Sequence, residues 1–149
     1  MKQRHLLFIN TLSPDKSRLA IVCAEGAVDE VFPAGRGRSE TIESSLLVLL
    51  RRAGVSLKQI YCVIVAVGEG SFTGQRTGLA VARALGFSLG IPSVSIVTEK
   101  IPRDLTELLS IMSSHKNEAK PRYGGPPHIT FPKVIKKIAK IKRKLQKIV

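Results

Sequence analysis

Residues 68–78, Gly-Glu-Gly-Ser-Phe-Thr-Gly-Gln-Arg-Thr-Gly, are the segment that most restricts how this chain can fold. They follow a run without any charge, 61–67, and they precede a segment, 79–89, that is apolar on almost every side. This order predicts a buried strand, a glycine-rich turn and a helix. Each glycine costs backbone entropy unless the turn requires it, so the four glycines need a structural or functional reason.

Two reasons for these glycines compete. Free backbone N–H groups at a helix N-terminus can hold an anion, because the helix dipole favours negative charge there. Alternatively, the glycines let the helix pack closely on the sheet. The turn matches neither G-x-G-x-x-G, because Thr73 replaces the third glycine, nor the phosphate-binding G-x-x-x-x-G-K-[ST] pattern. Glu69 would also repel a phosphate, so the sequence favours the packing explanation.

The spelling of this turn, Gly-x-Gly-Ser-Phe-Thr-Gly-x-Arg-x-Gly before an apolar helix, resembles the signature of the TsaB (YeaZ) family. Proteins of that family are needed to make threonylcarbamoyladenosine beside the anticodon of bacterial tRNA. The resemblance runs from about Leu6 to Val97 and includes Ser39-Glu40 and Gly90-Ile91-Pro92. The motif residues that carry it are Gly68, Gly70, Ser71, Phe72, Thr73, Gly74, Arg76 and Gly78.

The chain departs from the family pattern at several positions. Proline is usual where Glu69 stands, and hydrophobic residues are usual where Gln75 and Thr77 stand. The first strand of family members usually ends in Asp-Thr-Ser or a similar sequence, whereas here it ends in Asn10-Thr11-Leu12. Family members also carry a second lobe, and the segment 98–149 does not look like one. We therefore expect a short, single-lobe version of the family.

Composition and the order of the predicted strands and helices limit which folds this chain can adopt. The 149 residues, 44% of them hydrophobic, suit one domain with a real core. Three strand-like segments form a predicted antiparallel meander, followed by a helix that begins at Ser39 and ends at Gly54. The apolar strand at 61–67 is predicted to be a central strand buried on both faces. A second helix at 74–89, ended by Gly90, and a last strand follow it. The resemblance gives this βββαβαβ α/β order its name, the first lobe of the actin–Hsp70–sugar-kinase fold, and residues 1–112 are predicted to form that lobe.

Both predicted helices, 39–53 and 74–89, carry more apolar surface than one sheet can cover. A helix that is hydrophobic nearly all round is buried nearly all round, so something other than the sheet must cover the outer side. Either the C-terminal segment folds back over them, or a protein partner does, which is the alternative we favour. The resemblance implies a TsaD-like paralogue or a second copy. The predicted partner-binding residues are Leu46, Leu50, Arg76, Leu79, Arg83 and Phe87.

The C-terminal segment differs from the body in charge. Residues 114–149 hold 11 of the 24 Lys and Arg residues and one acid, Glu118, and so carry +10 of the net charge of +13. Residues 113–132 are predicted to be a polar Gly/Pro linker, and 133–149 a basic amphipathic helix. Such a helix can contact RNA phosphates, dock on protein, lie on an anionic membrane, or have no role. The candidate nucleic-acid contacts are Lys136, Lys137, Lys140, Arg143 and Lys144.

The sequence contains no evident catalytic arrangement. The histidines His5, His115 and His128 are scattered, and no pair of them has metal-ligand spacing. Asn10 cannot supply the negative charge that a nucleotide-bound metal requires. We therefore expect neither metal nor cofactor, and no apolar run approaches the ~18 residues of a membrane span. The expected protein is a cytoplasmic, non-catalytic scaffold or activator that partners a TsaD-like enzyme, with tRNA as a further candidate contact. The alternative is a basic adaptor acting on RNA or an anionic membrane through its tail.

Overall fold

The computed structural model describes residues 4–34, 41–97, 107 and 120–122. Five strands and two α-helices follow one another in the order predicted from the sequence, with a single 3₁₀ turn at Leu57–Gln59 before the fourth strand. The elements are β1 (His5–Asn10), β2 (Lys16–Cys23), β3 (Gly26–Pro33), α1 (Thr41–Ala53), β4 (Ile60–Ala66), α2 (Phe72–Leu89) and β5 (Ser93–Ile96).

The five strands form one mixed sheet in the order β3-β2-β1-β4-β5. The first three strands make the predicted antiparallel meander, while β4 runs parallel to β1 and β5 runs parallel to β4. At the centre, Phe8 lies between Ala20 of β2 and Ile64 of β4. The prediction that 61–67 forms a central strand buried on both faces is confirmed, because Cys62 through Val67 are all buried.

Helix α1 has the charge distribution that suits its dipole. Glu43 lies in the first turn, and Arg51 and Arg52 lie in the last. Gly54 adopts the left-handed conformation after the helix, with φ 65°, as the sequence predicted for a C-terminal glycine. The predicted start at Ser39 lies outside the described residues.

Helix α2 begins two residues before the predicted start. Ser71 is its N-cap, and the Ser71 Oγ accepts a hydrogen bond from the Gly74 N–H at 3.0 Å. Thr73 is already in the helix, where its carbonyl accepts from Thr77 Oγ1 at 2.9 Å. Gly90, with φ 65°, ends the helix as predicted.

The sheet separates two apolar clusters. The first-face cluster lies between the sheet and the two helices, and it contains strand residues such as Ile9 and Val65 together with Leu49 and Leu79 from the helices. The second-face cluster lies on the opposite side of the sheet. Its buried members are Leu6, Phe8, Leu12, Ala20, Val22, Cys62, Ile64, Ala66 and Ile96.

Two further predictions concern the rest of the chain. Among the described residues, no helix is long and apolar enough to cross a membrane. The predicted linker 113–132 and basic helix 133–149 lie outside the described residues, apart from 120–122. In that short piece, the Lys120 backbone N–H donates to Ser95 Oγ at 3.2 Å, next to β5.

Candidate functional site

The glycine-rich turn is packed against the residues that follow β1. The Ser71 N–H donates to the Leu12 carbonyl at 2.6 Å, and Thr11 Oγ1 donates to the Gly74 carbonyl at 2.7 Å. The Asn10 side chain shapes the same stretch, because its Oδ1 accepts from the Leu12 N–H at 3.1 Å. Asn10 thus organises a local turn at the position where the family usually has an acid.

Three glycines of the motif are required by this close approach. A Cβ atom at Gly70 would lie within 3.0 Å of the Leu12 carbonyl oxygen, and one at Gly74 would lie as close to the Thr11 carbonyl oxygen. At Gly78 it would meet the Thr11 hydroxyl oxygen at similarly short range. Real side chains do not tolerate such contacts with the backbone at Gly70 and Gly74, and a side chain at Gly78 would displace the Thr11 hydroxyl from its hydrogen bond to the Gly74 carbonyl.

Gly68 and Gly70 also have positive φ values, 143° and 139°, that L side chains rarely adopt. The turn therefore needs glycine both for its own backbone path and for its neighbours. The geometry supports the packing explanation of the motif.

The buried side chain of Gln75 links the start of α2 to the first residue of the turn. Its side chain is only 2% exposed, and its Oε1 accepts a hydrogen bond from the Gly68 N–H at 2.9 Å. Its own backbone N–H donates to the Ser71 carbonyl at 2.9 Å. Three backbone amides of the turn, those of Gly68, Ser71 and Gly74, thus bind acceptors of the protein itself. Sequence reasoning missed this role, because Gln75 is followed directly by the polar residues Arg76 and Thr77 and no pattern marks it as the buried one.

A second candidate site is the solvent-facing side of α2, which we call the outer surface of α2. Its residues recur every three or four positions, so they form one stripe along the helix. Phe87 is 93% exposed and Phe72 is 56% exposed, while the Arg76 guanidinium lies 5.5 Å from the centre of the Phe72 ring. The stripe consists of Phe72, Arg76, Ala80, Arg83, Ala84 and Phe87, all of them exposed.

Helix α1 also exposes apolar side chains. Leu47 and Val48 are 48% and 42% exposed on its outer side. Large apolar side chains exposed on both helices of one face fit a protein interface better than an isolated monomer surface. The small side chains Ala80 and Ala84 leave room in the middle of the α2 stripe for a partner to approach closely.

The structure divides the predicted partner-binding residues into two groups. Arg76, Arg83 and Phe87 lie on the outer surface of α2. Leu46, Leu50 and Leu79 do not lie on an outer surface, because they are 7%, 7% and 6% exposed and belong to the first-face cluster. For these three leucines the prediction of a partner contact is corrected: they pack against the sheet. The prediction also omitted Leu47, Val48 and Phe72, since a helix that is apolar all round does not reveal which side faces the sheet.

The described residues hold no group of three His, Cys, Asp or Glu side chains that could bind a metal ion. Burial raises the pKa of the Cys62 thiol to about 11, so at neutral pH it is a protonated core residue and not a nucleophile. His5 is buried at the start of β1, and the other two histidines lie outside the described residues. The predicted lysine and arginine contacts to nucleic acid, Lys136, Lys137, Lys140, Arg143 and Lys144, also lie outside them.

One known family and several known proteins resemble parts of this chain. Residues 31–100 match the sequence model of TsaD, tRNA N6-adenosine threonylcarbamoyltransferase. This match covers just under half of the chain and includes α1, β4, the turn and α2. Over 64 residues the chain is 39% identical to the uncharacterized protein Mb3455c of Mycobacterium bovis and 42% identical to the uncharacterized protein ML0378 of Mycobacterium leprae. The matched segment is 43% of this chain, but only 30% and 18% of those two proteins.

Two solved structures share the fold. YeaZ from Pseudomonas aeruginosa superimposes on 63% of this chain with a TM-score of 0.58 and 24% identity, and the match covers 44% of YeaZ. An uncharacterized protein with similarity to peptidase YeaZ from the same organism gives a TM-score of 0.59 at 24% identity over 63% of this chain. The chain thus spans less than half the length of the proteins that it matches.

The sheet, its two helices and these matches define the class: a lobe of the actin-like ATPase fold. The chain resembles YeaZ (TsaB) in fold, and part of it matches the TsaD family model, so the resemblance inferred from the glycine-rich turn is confirmed.

Proposed function

We propose that this chain is a non-catalytic scaffold or activator that pairs with a TsaD-like enzyme in the threonylcarbamoyladenosine modification of tRNA. The observation that carries the proposal is the outer surface of α2, an exposed stripe that ends in Phe87 at 93% exposure. The helix bearing this stripe starts at the family motif and lies inside the segment that matches the TsaD family.

The chemistry of the surface suits a protein partner. Aromatic side chains and arginine dominate the energy of protein interfaces, and the stripe has Phe72 and Arg76 at one end and Phe87 at the other. Arg83 adds a positive charge between them. The glycine-rich motif holds this surface in place, because the packed turn fixes the position and direction of α2.

A scaffold role also agrees with the hydrogen bonds that the backbone amides of the turn make. In a phosphate-binding loop the backbone amides point at the ligand, whereas here those of Gly68, Ser71 and Gly74 bind acceptors of the protein itself. Asn10 uses its Oδ1 on the Leu12 amide. We therefore propose that the partner carries out the chemistry and that this chain stabilises the partner's active form.

The test is binding to the TsaD-like protein of the same cell, measured by co-purification and by titration calorimetry. Phe87→Glu should weaken binding thirtyfold or more, because loss of an interface hot spot costs ~2 kcal/mol or more. Val31→Glu is the matched control, since Val31 is also exposed, at 43%, but lies on the edge strand β3. The proposal is wrong if the chain binds no TsaD-like protein, or if Val31→Glu and Phe87→Glu weaken binding equally.

A homodimer through the same stripe is the other use of this surface. It is distinguished by sedimentation of the chain alone. Concentration-dependent dimers that Phe87→Glu abolishes, together with no binding of a TsaD-like protein, would favour self-association over the heterologous pair.

The second candidate function, a basic adaptor acting on RNA or an anionic membrane, rests on one observation. Residues 114–149 carry +10 of the net charge of +13. Each phosphate that Lys or Arg neutralises adds roughly 0.7–0.9 to the slope of log K against log salt. The candidate contacts Lys136, Lys137, Lys140, Arg143 and Lys144, changed together to Gln in the full chain, should therefore abolish most polyanion binding and flatten this slope. Unchanged tRNA and lipid binding would exclude the tail as the contact.

A further inference from the structure

Strand β3 turns a row of backbone groups away from the sheet. Among the described residues, β3 lies at the end of the sheet and pairs with β2 alone. The Ala34 N–H donates to the Asp15 carbonyl at 2.9 Å, so these two residues form a hydrogen-bonded pair of the antiparallel ladder. Hydrogen-bonded and non-hydrogen-bonded pairs alternate along such a ladder. Counted along the register, the backbone N–H and C=O groups of Ala27, Asp29 and Val31 therefore point away from β2, toward the free edge of β3.

Arg52, in the last turn of α1, binds one of these free-edge groups. Its Nη1 donates to the Asp29 carbonyl at 3.2 Å, and the same nitrogen contacts the Glu30 carboxylate. Glu30 alternates along the strand with Val28 and Phe32, which pack in the first-face cluster, so all three side chains lie on the helix side of the sheet. Arg52 thus reaches from the first face over the edge of β3.

Two further features of β3 oppose pairing at this edge. Pro33 stands where the next edge donor would be, and proline has no N–H. The Asp29 side chain carries a charge, and it lies 3.8 Å from the Nε of Arg18. Proline and charged side chains are common means of keeping an edge strand from pairing with another chain.

The rest of the edge keeps the properties of a strand that can pair. The strand is eight residues long, and the side chains of Ala27 and Val31 are exposed. A second copy of the chain offers the same strand, and two β3 strands can pair antiparallel about a two-fold axis at Asp29. Val31 of each copy would then lie opposite Ala27 of the other, and the two Asp29 residues would exchange N–H and C=O bonds at the centre. That exchange needs the carbonyl that Arg52 already holds.

We propose that Arg52 closes the free edge of β3 against pairing with a second copy of the chain. It does so by occupying the central acceptor of that edge, the Asp29 carbonyl. This self-association through the sheet is distinct from a homodimer through the outer surface of α2. The proposal does not depend on the function proposed above.

The test compares Arg52→Ala with Arg51→Ala by sedimentation equilibrium. Both variants are made in the full chain carrying Phe87→Glu, which removes self-association through the outer surface of α2. Arg51 is the matched control, because it is an exposed arginine in the same turn of α1. Arg52→Ala should tighten self-association roughly tenfold for each edge that it frees, which is about 1.4 kcal/mol for one charged hydrogen bond. Arg51→Ala should leave self-association unchanged.

Amide hydrogen exchange locates the association. The Val31 N–H faces the free edge, whereas the Phe32 N–H faces Ser17 of β2 and serves as the internal reference. In Arg52→Ala, exchange at Val31 should slow as the protein concentration rises, while exchange at Phe32 stays constant. Val31→Pro removes the edge donor without removing a hydrogen bond to β2. Added to Arg52→Ala, it should return the chain to a monomer.

Three results would overturn the proposal. The first is an Arg52→Ala chain that associates no more tightly than the chain carrying Phe87→Glu alone. The second is association that Arg51→Ala strengthens equally, or that proceeds without slower exchange at Val31, which would assign it to another surface. The third is slow exchange at Val31 at every concentration before Arg52 is changed, which would show that another segment of the same chain covers the edge.

Discussion

The glycine-rich turn and the outer surface of α2 share one helix, yet they are built in opposite ways. At the turn, polar groups are paired within the chain, and three glycines exist because Thr11 and Leu12 lie too close for any side chain. On the outer surface, large side chains such as Phe87 have little of the chain around them. The most recognisable motif in the sequence is thus a packing device, and the surface with unused apolar area is the less conspicuous one.

The largest expected effect tests which side of α2 belongs to the core. Leu79→Glu should cost about 4 kcal/mol or more of the free energy of unfolding, because it buries an unpaired charge in the first-face cluster. Phe87→Glu, in the same helix, should change this free energy by less than ~0.5 kcal/mol, since Phe87 is exposed. Urea denaturation followed by circular dichroism measures both. Similar losses in the two variants would erase the distinction between the inner and outer sides of the helix.

Some features of this fold can be predicted from the local sequence, and others cannot. The order of strands and helices, the central strand β4 and the helix ends at Gly54 and Gly90 follow from local chemistry: periodicity, charge-free runs and glycine. The burial of Leu46, Leu50 and Leu79 did not follow, because both predicted helices are apolar on several sides. Which side meets the sheet depends on the crossover geometry of the whole lobe, and that information is not local.

A smaller effect is expected inside the turn. Gly74→Ala should cost about 3 kcal/mol, because the added methyl group would overlap the Thr11 carbonyl oxygen and force the backbone to move. Gly90→Ala should cost only ~1–2 kcal/mol, since there the methyl group meets open space and only the left-handed conformation is strained. Thermal unfolding of the two variants checks this order. Equal costs would mean that conformation, and not close packing, explains the glycines of the motif.

A substitution of Gln75 tests whether its hydrogen bond stabilises the turn. Gln75→Leu restores the hydrophobic residue usual in the family, yet it should cost about 1–2 kcal/mol because the Gly68 N–H loses its acceptor in a part-buried place. Thr77→Val is the control, since its hydroxyl bonds only to the Thr73 carbonyl one turn earlier in an exposed setting. Denaturant midpoints of the two variants give the result. A stabilised Gln75→Leu would show that the turn tolerates an unpaired amide, and that Gln75 is a chance departure from the family pattern.

Arg76 combines a small change in stability with the sharpest test, because it belongs to the motif by sequence and to the outer surface of α2 by position. Its guanidinium lies over the Phe72 ring at 5.5 Å, and an exposed contact of this kind is worth about 0.5–1 kcal/mol. Arg76→Gln should therefore lower the free energy of unfolding by less than ~1 kcal/mol. In binding to a TsaD-like partner it should cost about tenfold or more, since arginine is a frequent interface hot spot. Arg76→Lys, which keeps the charge without the planar group, should recover only part of this affinity. If Arg76→Gln instead destabilises the lobe as strongly as Gly74→Ala and leaves binding intact, Arg76 serves the turn, and the motif and the surface are not separate in function.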